Sequence, residues 1–211
     1  MSRDTYHHGD LRRSLIEAGI ELVCKEGLEG FSLRKTAALC GVSHGAPYSH
    51  FKSGGELIRA MAAHVLEAFG QALQDAAGKP PHTLPGLVEM GRAYIRFFSL
   101  RPQYFTFLFY HSGVSVDLDD EQGVSYKPFA VFRDVAYRVF ADLGLPRQEY
   151  KKNLIALWSA VHGVASMLTN PAIHFTGDWT ETLFESVLLQ GWIHYDAKNA
   201  ALHSGPADGK E

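Results

Sequence analysis

Apolar side chains recur every three to four positions through most of this chain, and no window shows sustained alternation with polar ones. That period gathers them on one face of a helix, so the sequence predicts an all-α fold without strands. From Leu11, the positions Leu15, Ala18, Gly19, Leu22 and Val23 share a face, Glu17, Glu21, Lys25 and Glu26 fall largely between them, and Gly27 ends the run. Ser32 is placed to cap a short second helix through Leu33, Thr36, Ala37 and Leu39, which Gly41 terminates. Ser43 offers a cap for a third short helix over 44–50, with Pro47 as its fourth residue, where only one hydrogen bond is forfeited. Ser53-Gly-Gly-Glu56 reads as a capping box that launches a long helix over 54–76.

Residues 77–83, AGKPPHT, form a Pro/Gly break expected to act as a hinge. Beyond it the pattern predicts helices at about 84–100, 102–112, 126–144, 147–169 and 179–197, about nine helices in the whole chain. Small polar residues from Lys198 onward are expected to fray. The chain thus divides into a short-helix module at 1–53, a connecting helix at 54–76, a helical body at 77–197 and a flexible tail at 198–211.

Composition narrows the class. With 46% hydrophobic residues over 211 positions there is enough apolar surface for a real core, which excludes a disordered chain. Cys24 and Cys40 lack CxxC spacing and a matching histidine cluster, so neither a disulfide framework nor a zinc site is expected; no metal and no cofactor is called for. The adjacent His7 and His8 read as part of an exposed N-terminal arm. The first ten residues are polar where a signal peptide needs an apolar stretch, and the apolar run at 154–168 is too short and too interrupted to span a bilayer. A soluble, cytoplasmic protein with no membrane partner is the expectation.

Net charge is −3, yet its distribution is uneven. Within 32–59, Arg34, Lys35, Lys52 and Arg59 stand against Glu56 alone, so a small positive window sits on an acidic chain. The same window holds GVSHGAPYSHFKSGGEL, rich in small and hydrogen-bonding side chains that are poor material for a core helix. A helix that enters the major groove needs small residues at its tip for close approach, which Gly45 and Ala46 supply. His44 can bond base edges and Ala46 can meet a thymine methyl. Tyr48, His50 and Lys52 are phosphate-directed donors, and the start of the long helix adds free N–H groups. Phe31, Val42 and Phe51 are expected to form the small module's core.

These residues resemble the DNA-reading motif of the TetR/AcrR-type bacterial transcriptional regulators. The likeness runs from Leu11 through Leu57, with Phe31, Ser32, Ala37, Gly41, Val42, Ser43, Gly45, Tyr48, His50, Phe51, Lys52 and Leu57 in place. Gly54-Gly55 stands where a lysine is usual and Cys40 where an alanine is usual. The resemblance implies that Ser32 and Arg34 touch phosphates, that residues 44–46 (His44, Gly45, Ala46) read bases with Ser43 also in the DNA-binding set, and that Tyr48, His50 and Lys52 anchor the DNA backbone. It also implies a helical C-terminal domain that binds a small molecule and dimerises through its last two long helices.

The body supports such a domain. Leu87, Met90, Tyr94 and Phe98 mark one helix face, Phe129, Phe132, Ala136, Val139 and Phe140 a second, and Leu154, Leu157, Trp158, Val161, Ala165 and Leu168 a third. Trp158-Ser-Ala-Val-His162-Gly163 resembles a Trp-x-x-x-His-Gly signature of one C-terminal subgroup of the family. Polar groups on apolar faces are candidates to orient a ligand, giving a predicted effector site of Tyr94, Phe98, Phe107, His111, Phe132, Tyr137, Trp158 and His162. The last helix is apolar on two sides, so 147–169 and 179–197 are the expected homodimer surface.

The function expected is therefore a homodimeric, sequence-specific repressor that binds a palindromic operator in double-stranded DNA and is released by a small, largely apolar effector. Two alternatives stand beside it. One is a DNA-binding regulator without an effector; the other is a helical hydrolase using Ser159 and His162, for which no orienting carboxylate lies nearby. No enzymatic activity is expected.

Overall fold

The computed structural model describes residues 8–117, 126–174 and 176. Among them are seven α-helices and no strand: α1 (His8–Gly30), α2 (Leu33–Leu39), α3 (Gly54–Ala77), α4 (Leu84–Ser99), α5 (Pro102–Thr106), α6 (Lys127–Asp142) and α7 (Tyr150–Thr169). The expected helix at 179–197 and the tail lie outside the described residues.

Local chemistry sets most boundaries where the sequence placed them. Gly27 takes a φ of 72° and kinks α1, though helical bonding resumes as far as Gly30. Ser32 Oγ accepts the Lys35 backbone N–H at 3.2 Å, and Ser53 Oγ accepts that of Glu56 at 3.2 Å. The reciprocal half of the box is displaced by one residue, because the Glu56 carboxylate accepts from Lys52 N at 2.7 Å rather than from Ser53 N. Thr83 caps α4, and the link 77–83 is a short connection that starts at Gly78, where α3 ends.

Three elements differ from expectation. The third helix, expected over 44–50, is a single 3-10 turn, Ala46–Ser49, entered through Gly45 with no side-chain cap, so Ser43 is not its N-cap. Pro47 explains the difference: it has no N–H to return to Ser43, and that carbonyl accepts from Ala46 N at 3.0 Å instead. The helix expected over 102–112 is α5 followed by a π-helical turn, Phe107–His111, closed by Ser112 N donating to Phe107 O at 2.8 Å. The helix expected from 147 begins as a 3-10 turn, Arg147–Glu149, before α7.

One continuous core runs from Leu15 in α1 to Ala165 in α7, with α3 as its spine. The N-terminal half of α3 packs against α1 at Gly19, where an added Cβ would meet Met61 Sδ at 2.7 Å. Its C-terminal half buries Phe69 against Tyr94 and Phe98 of α4, with ring centroids 4.9 and 4.7 Å apart. The small N-terminal module and the larger helical body therefore share one rigid element.

Candidate functional site

The N-terminal module is built on α1, α2 and the 3-10 turn. Leu33, Ala37 and Phe51 are buried in it, whereas Phe31 and Val42 are half-buried. Thr36 is fully buried and donates its hydroxyl to Ser32 O at 3.0 Å, which leaves no polar atom stranded. Gly41 adopts a φ of 69° between α2 and the turn, with Val42 N returning to Ala37 O at 3.1 Å. Lys35 reaches back to Glu26 Oε2 at 2.7 Å and Gly30 O at 2.8 Å, tying α2 to the end of α1; that bond and charge hold the Glu26 carboxyl below its ordinary range. Arg12 lies over the Phe51 ring at 5.3 Å.

This frame presents Arg34, Ser43, His44, Gly45, Tyr48 and Lys52 to solvent, with Tyr48 as much as 61% exposed. Tyr48 stands exposed beside a buried Pro47 and a buried Phe51. Ser32 and Ala46 are half-buried, Ser32 being occupied as the α2 cap. His50 is half-buried, and its Nε2 is shut off from solvent with no hydrogen-bond partner among the described residues. Gly54 has a local reason, since an added Cβ there would sit 3.3 Å from the Phe31 ring.

The second constellation is aromatic. Tyr94, Trp158, Tyr126, Phe109 and His162 form a closed circuit, with successive centroids 5.1, 6.1, 6.5, 4.6 and 6.3 Å apart. Phe98, Phe105, Phe129 and Phe132 pack around it. Edge-to-face neighbours of this kind add ~0.5–1.5 kcal/mol each beyond their buried area. Within the circuit the Tyr94 hydroxyl meets His162 Nδ1 at 2.8 Å. Burial pulls the His162 pKa down and pushes those of Tyr94 and Tyr126 up, so all three are neutral at ordinary pH.

Of the predicted effector residues, Tyr94, Phe98, Phe132, Trp158 and His162 come together here. Tyr137 does not: it packs on Tyr150 and Phe140 at 5.2 and 6.4 Å. Phe107 is fully buried, its backbone N–H donating to Gln103 O, and His111 is half-buried at the end of the π turn. Phe105, Phe109 and Tyr126 were missed. Phe105 and Phe109 lay in a run of aromatics too dense for periodicity to sort, and Tyr126 carried no signal beyond standing at a predicted helix start. A surface groove of about 450 Å³ lined by Ala76, Glu89, Arg92, Ala93 and Arg96 contains none of these residues.

The two constellations meet at α5. Tyr104 donates its hydroxyl to Glu17 Oε1 of α1 at 2.7 Å, and His64 Nε2 of α3 lies 3.0 Å from the same oxygen. Cys24 Sγ donates to Gln103 O at 3.3 Å; burial raises that thiol to about 11, so it stays protonated. The residue after Tyr104 is Phe105, whose ring lies 5.1 Å from that of His162.

An all-α chain with a helix-turn-helix-like module on a helical body defines a class of regulator folds, and the comparisons specify it. Residues 87–190 match the family described as tetracyclin repressor-like, C-terminal domain. By that match the helical body of the chain is of the TetR family's C-terminal type. Its fold is similar to that of a TetR-family transcriptional regulator from Haemophilus influenzae, at 18% identity over 85% of this chain and 94% of that one, TM-score 0.64. A TetR-like transcriptional regulator from Rhodococcus is similar at 17% identity, 89% and 98% coverage and TM-score 0.64. The TetR family transcriptional regulator PfmR of Thermus thermophilus is similar at 18% identity, 82% and 93% coverage and TM-score 0.60. No curated protein matches the chain in sequence.

Proposed function

We propose that this chain is a cytoplasmic, homodimeric, sequence-specific DNA-binding repressor of the TetR family, released by a small, largely apolar effector held at the aromatic circuit. The observation that carries the reading is the continuity just described: exposed Ser43, His44, Gly45, Tyr48 and Lys52 stand on a turn packed on α2, α2 packs on α1, and α1 is bonded through Glu17–Tyr104 to α5, in which Phe105 lies beside His162. A ligand that favours one position of α5 then biases the placement of the DNA-reading module. In a two-fold dimer the reading surfaces must match half-sites about one helical turn apart, ~34 Å, and a coupling of only ~1–3 kcal/mol changes affinity roughly 5–150-fold. The Trp158-x-x-x-His162-Gly163 signature, as part of this reading, places the tryptophan and the histidine in one site.

The dimer surface proposed is α7 together with 179–197. On α7, Ala156, Ser159, Ala160, Gly163 and Met167 fall on one stripe of small and apolar residues that is exposed or half-exposed, which suits close helix approach in a two-fold interface. Ser159 therefore belongs to that stripe, and the His162 Nδ1 is engaged by a tyrosine rather than a carboxylate, which is not the activated serine pair a hydrolase needs.

The test is binding of the purified protein to the DNA upstream of its own coding region across a salt series, against an unrelated fragment of equal length. Specific, salt-sensitive binding that protects a two-fold symmetric site supports the reading. Sequence-independent binding on both fragments, together with a concentration-independent monomer in sedimentation, defeats it.

A further inference from the structure

The cations of the N-terminal module differ in what already holds them. Lys35 is committed twice over, to Glu26 Oε2 at 2.7 Å and to Gly30 O at 2.8 Å. The one carboxylate within 32–59, that of Glu56, accepts from the Lys52 backbone N–H at 2.7 Å, and the exposed Lys52 ammonium has no partner among the described residues. Arg12 differs again. Its guanidinium carbon stands over the Phe51 ring, 5.3 Å from the centroid, while the residue as a whole is exposed. Phe51 is only 2% exposed, so the ring is a buried platform under the charge. Contact with a ring occupies the flat side of a guanidinium, and its five N–H donors lie in the plane and point outward. Among the described residues none of them meets an acceptor and no carboxylate pairs with the charge. Phe51 lies between half-buried His50 and exposed Lys52, so a cation held on its ring stands at the edge of the surface proposed to meet DNA.

We infer that Arg12 is a DNA phosphate contact, which carries the binding surface from residues 32–52 onto α1. The inference rests on the DNA-binding reading above and adds to it a residue on another helix, outside the motif. A guanidinium already placed by a ring loses little rotamer freedom on meeting a phosphate, and its fork matches two phosphate oxygens. Held against the module's own core, it meets the DNA backbone rather than base edges, so the contact carries no sequence preference. A guanidinium that did no more than cover the ring would matter to stability alone.

The experiment is fluorescence-anisotropy titration of the full chain across a salt series, with the DNA upstream of its own coding region and an unrelated fragment of equal length as probes. Three variants join the wild type: Arg12→Gln, Arg12→Lys, and Lys25→Gln, which removes an exposed charge about 20 Å further along α1. Arg12→Gln is expected to weaken binding to both fragments several-fold and to make the slope of log affinity against log salt shallower by about 1 per bound protomer. Arg12→Lys keeps the charge and should keep the slope, and Lys25→Gln should leave it unchanged. Urea midpoints of the same variants read the ring-covering role, which the slope does not sense. An unchanged slope in Arg12→Gln, a loss as large in Lys25→Gln, or a loss as large in Arg12→Lys overturns the inference. The two readings fail separately. Binding without preference between the fragments, with a slope that still depends on Arg12, sinks sequence-specific recognition and leaves the phosphate contact standing; specific binding indifferent to Arg12→Gln does the reverse. No binding to either fragment at micromolar protein defeats both.

Discussion

The hydroxyl of Tyr104 donates to the carboxylate of Glu17 across 2.7 Å, joining the first helix of the small module to a helix of the regulatory body. Burial first, and the Glu17 carboxylate second, push the Tyr104 pKa well above the ordinary phenol range, so the donor is never lost at accessible pH. His64 Nε2 stands 3.0 Å from the same Glu17 oxygen and 3.2 Å from the Tyr104 oxygen, so three helices share this junction. Tyr104→Phe should cost about 1 kcal/mol in denaturant unfolding. It should leave the affinity of the ligand-free protein for its operator within about twofold and reduce compound-induced release several-fold. Undiminished release would falsify a role for this bond in coupling.

The DNA-reading face proposed at residues 43–52 is tested by salt. Lys52→Ala and Tyr48→Ala should weaken binding to operator and unrelated DNA alike. For Lys52→Ala the slope of log affinity against log salt should become shallower by about 1, as for one lost phosphate contact. A shift of preference among operator variants with no change in slope would place Lys52 at a base edge instead. Substituting His44 should do the opposite, altering preference while keeping the slope.

The turn between α2 and the 3-10 turn depends on Gly41, whose φ of 69° disfavours any side chain even though an added Cβ would meet nothing within 4 Å. Gly41→Ala is therefore a purely backbone test and should lower stability by about 1 kcal/mol. A variant as stable as the wild type in urea would show that the turn has an alternative conformation.

His162 gives a pH dependence with a definite sign. Its folded pKa lies below the ordinary 6.5, because burial penalises the imidazolium. The unfolded chain therefore binds the proton more readily, and stability falls as pH drops from about 6.5 through the lower folded value, then levels off. Comparing wild type with His162→Gln between pH 7.5 and 5 isolates the effect, since the carboxylates are common to both. The wild type should lose more of its thermal midpoint over that interval; parallel curves would contradict a buried, neutral imidazole.

Much of this molecule was written in local sequence. Ser32 and Ser53 fix their helix starts because an oxygen at the cap satisfies an orphan N–H whatever lies beyond it, and Gly27 and Gly41 bend the chain where only glycine adopts a positive φ at little cost. The short helices of residues 11–57 were legible for the same reason, since a module of capped helices carries its rules within a few residues. Pro47 costs more than its position suggests: its missing N–H replaces the expected helix with one 3-10 turn. Tertiary structure alone decided which aromatics form a site. Helical periodicity says that Phe98, Tyr137 and Trp158 face inward, but not that Trp158 meets Tyr126 while Tyr137 meets Tyr150. Those pairings are set by how α4, α6 and α7 pack about α3 and by the π turn after α5, and both arise from contacts far apart in the chain. The bond from Tyr104 to Glu17 spans 87 positions, a separation at which no spacing rule acts, so only the packed core brings the two together.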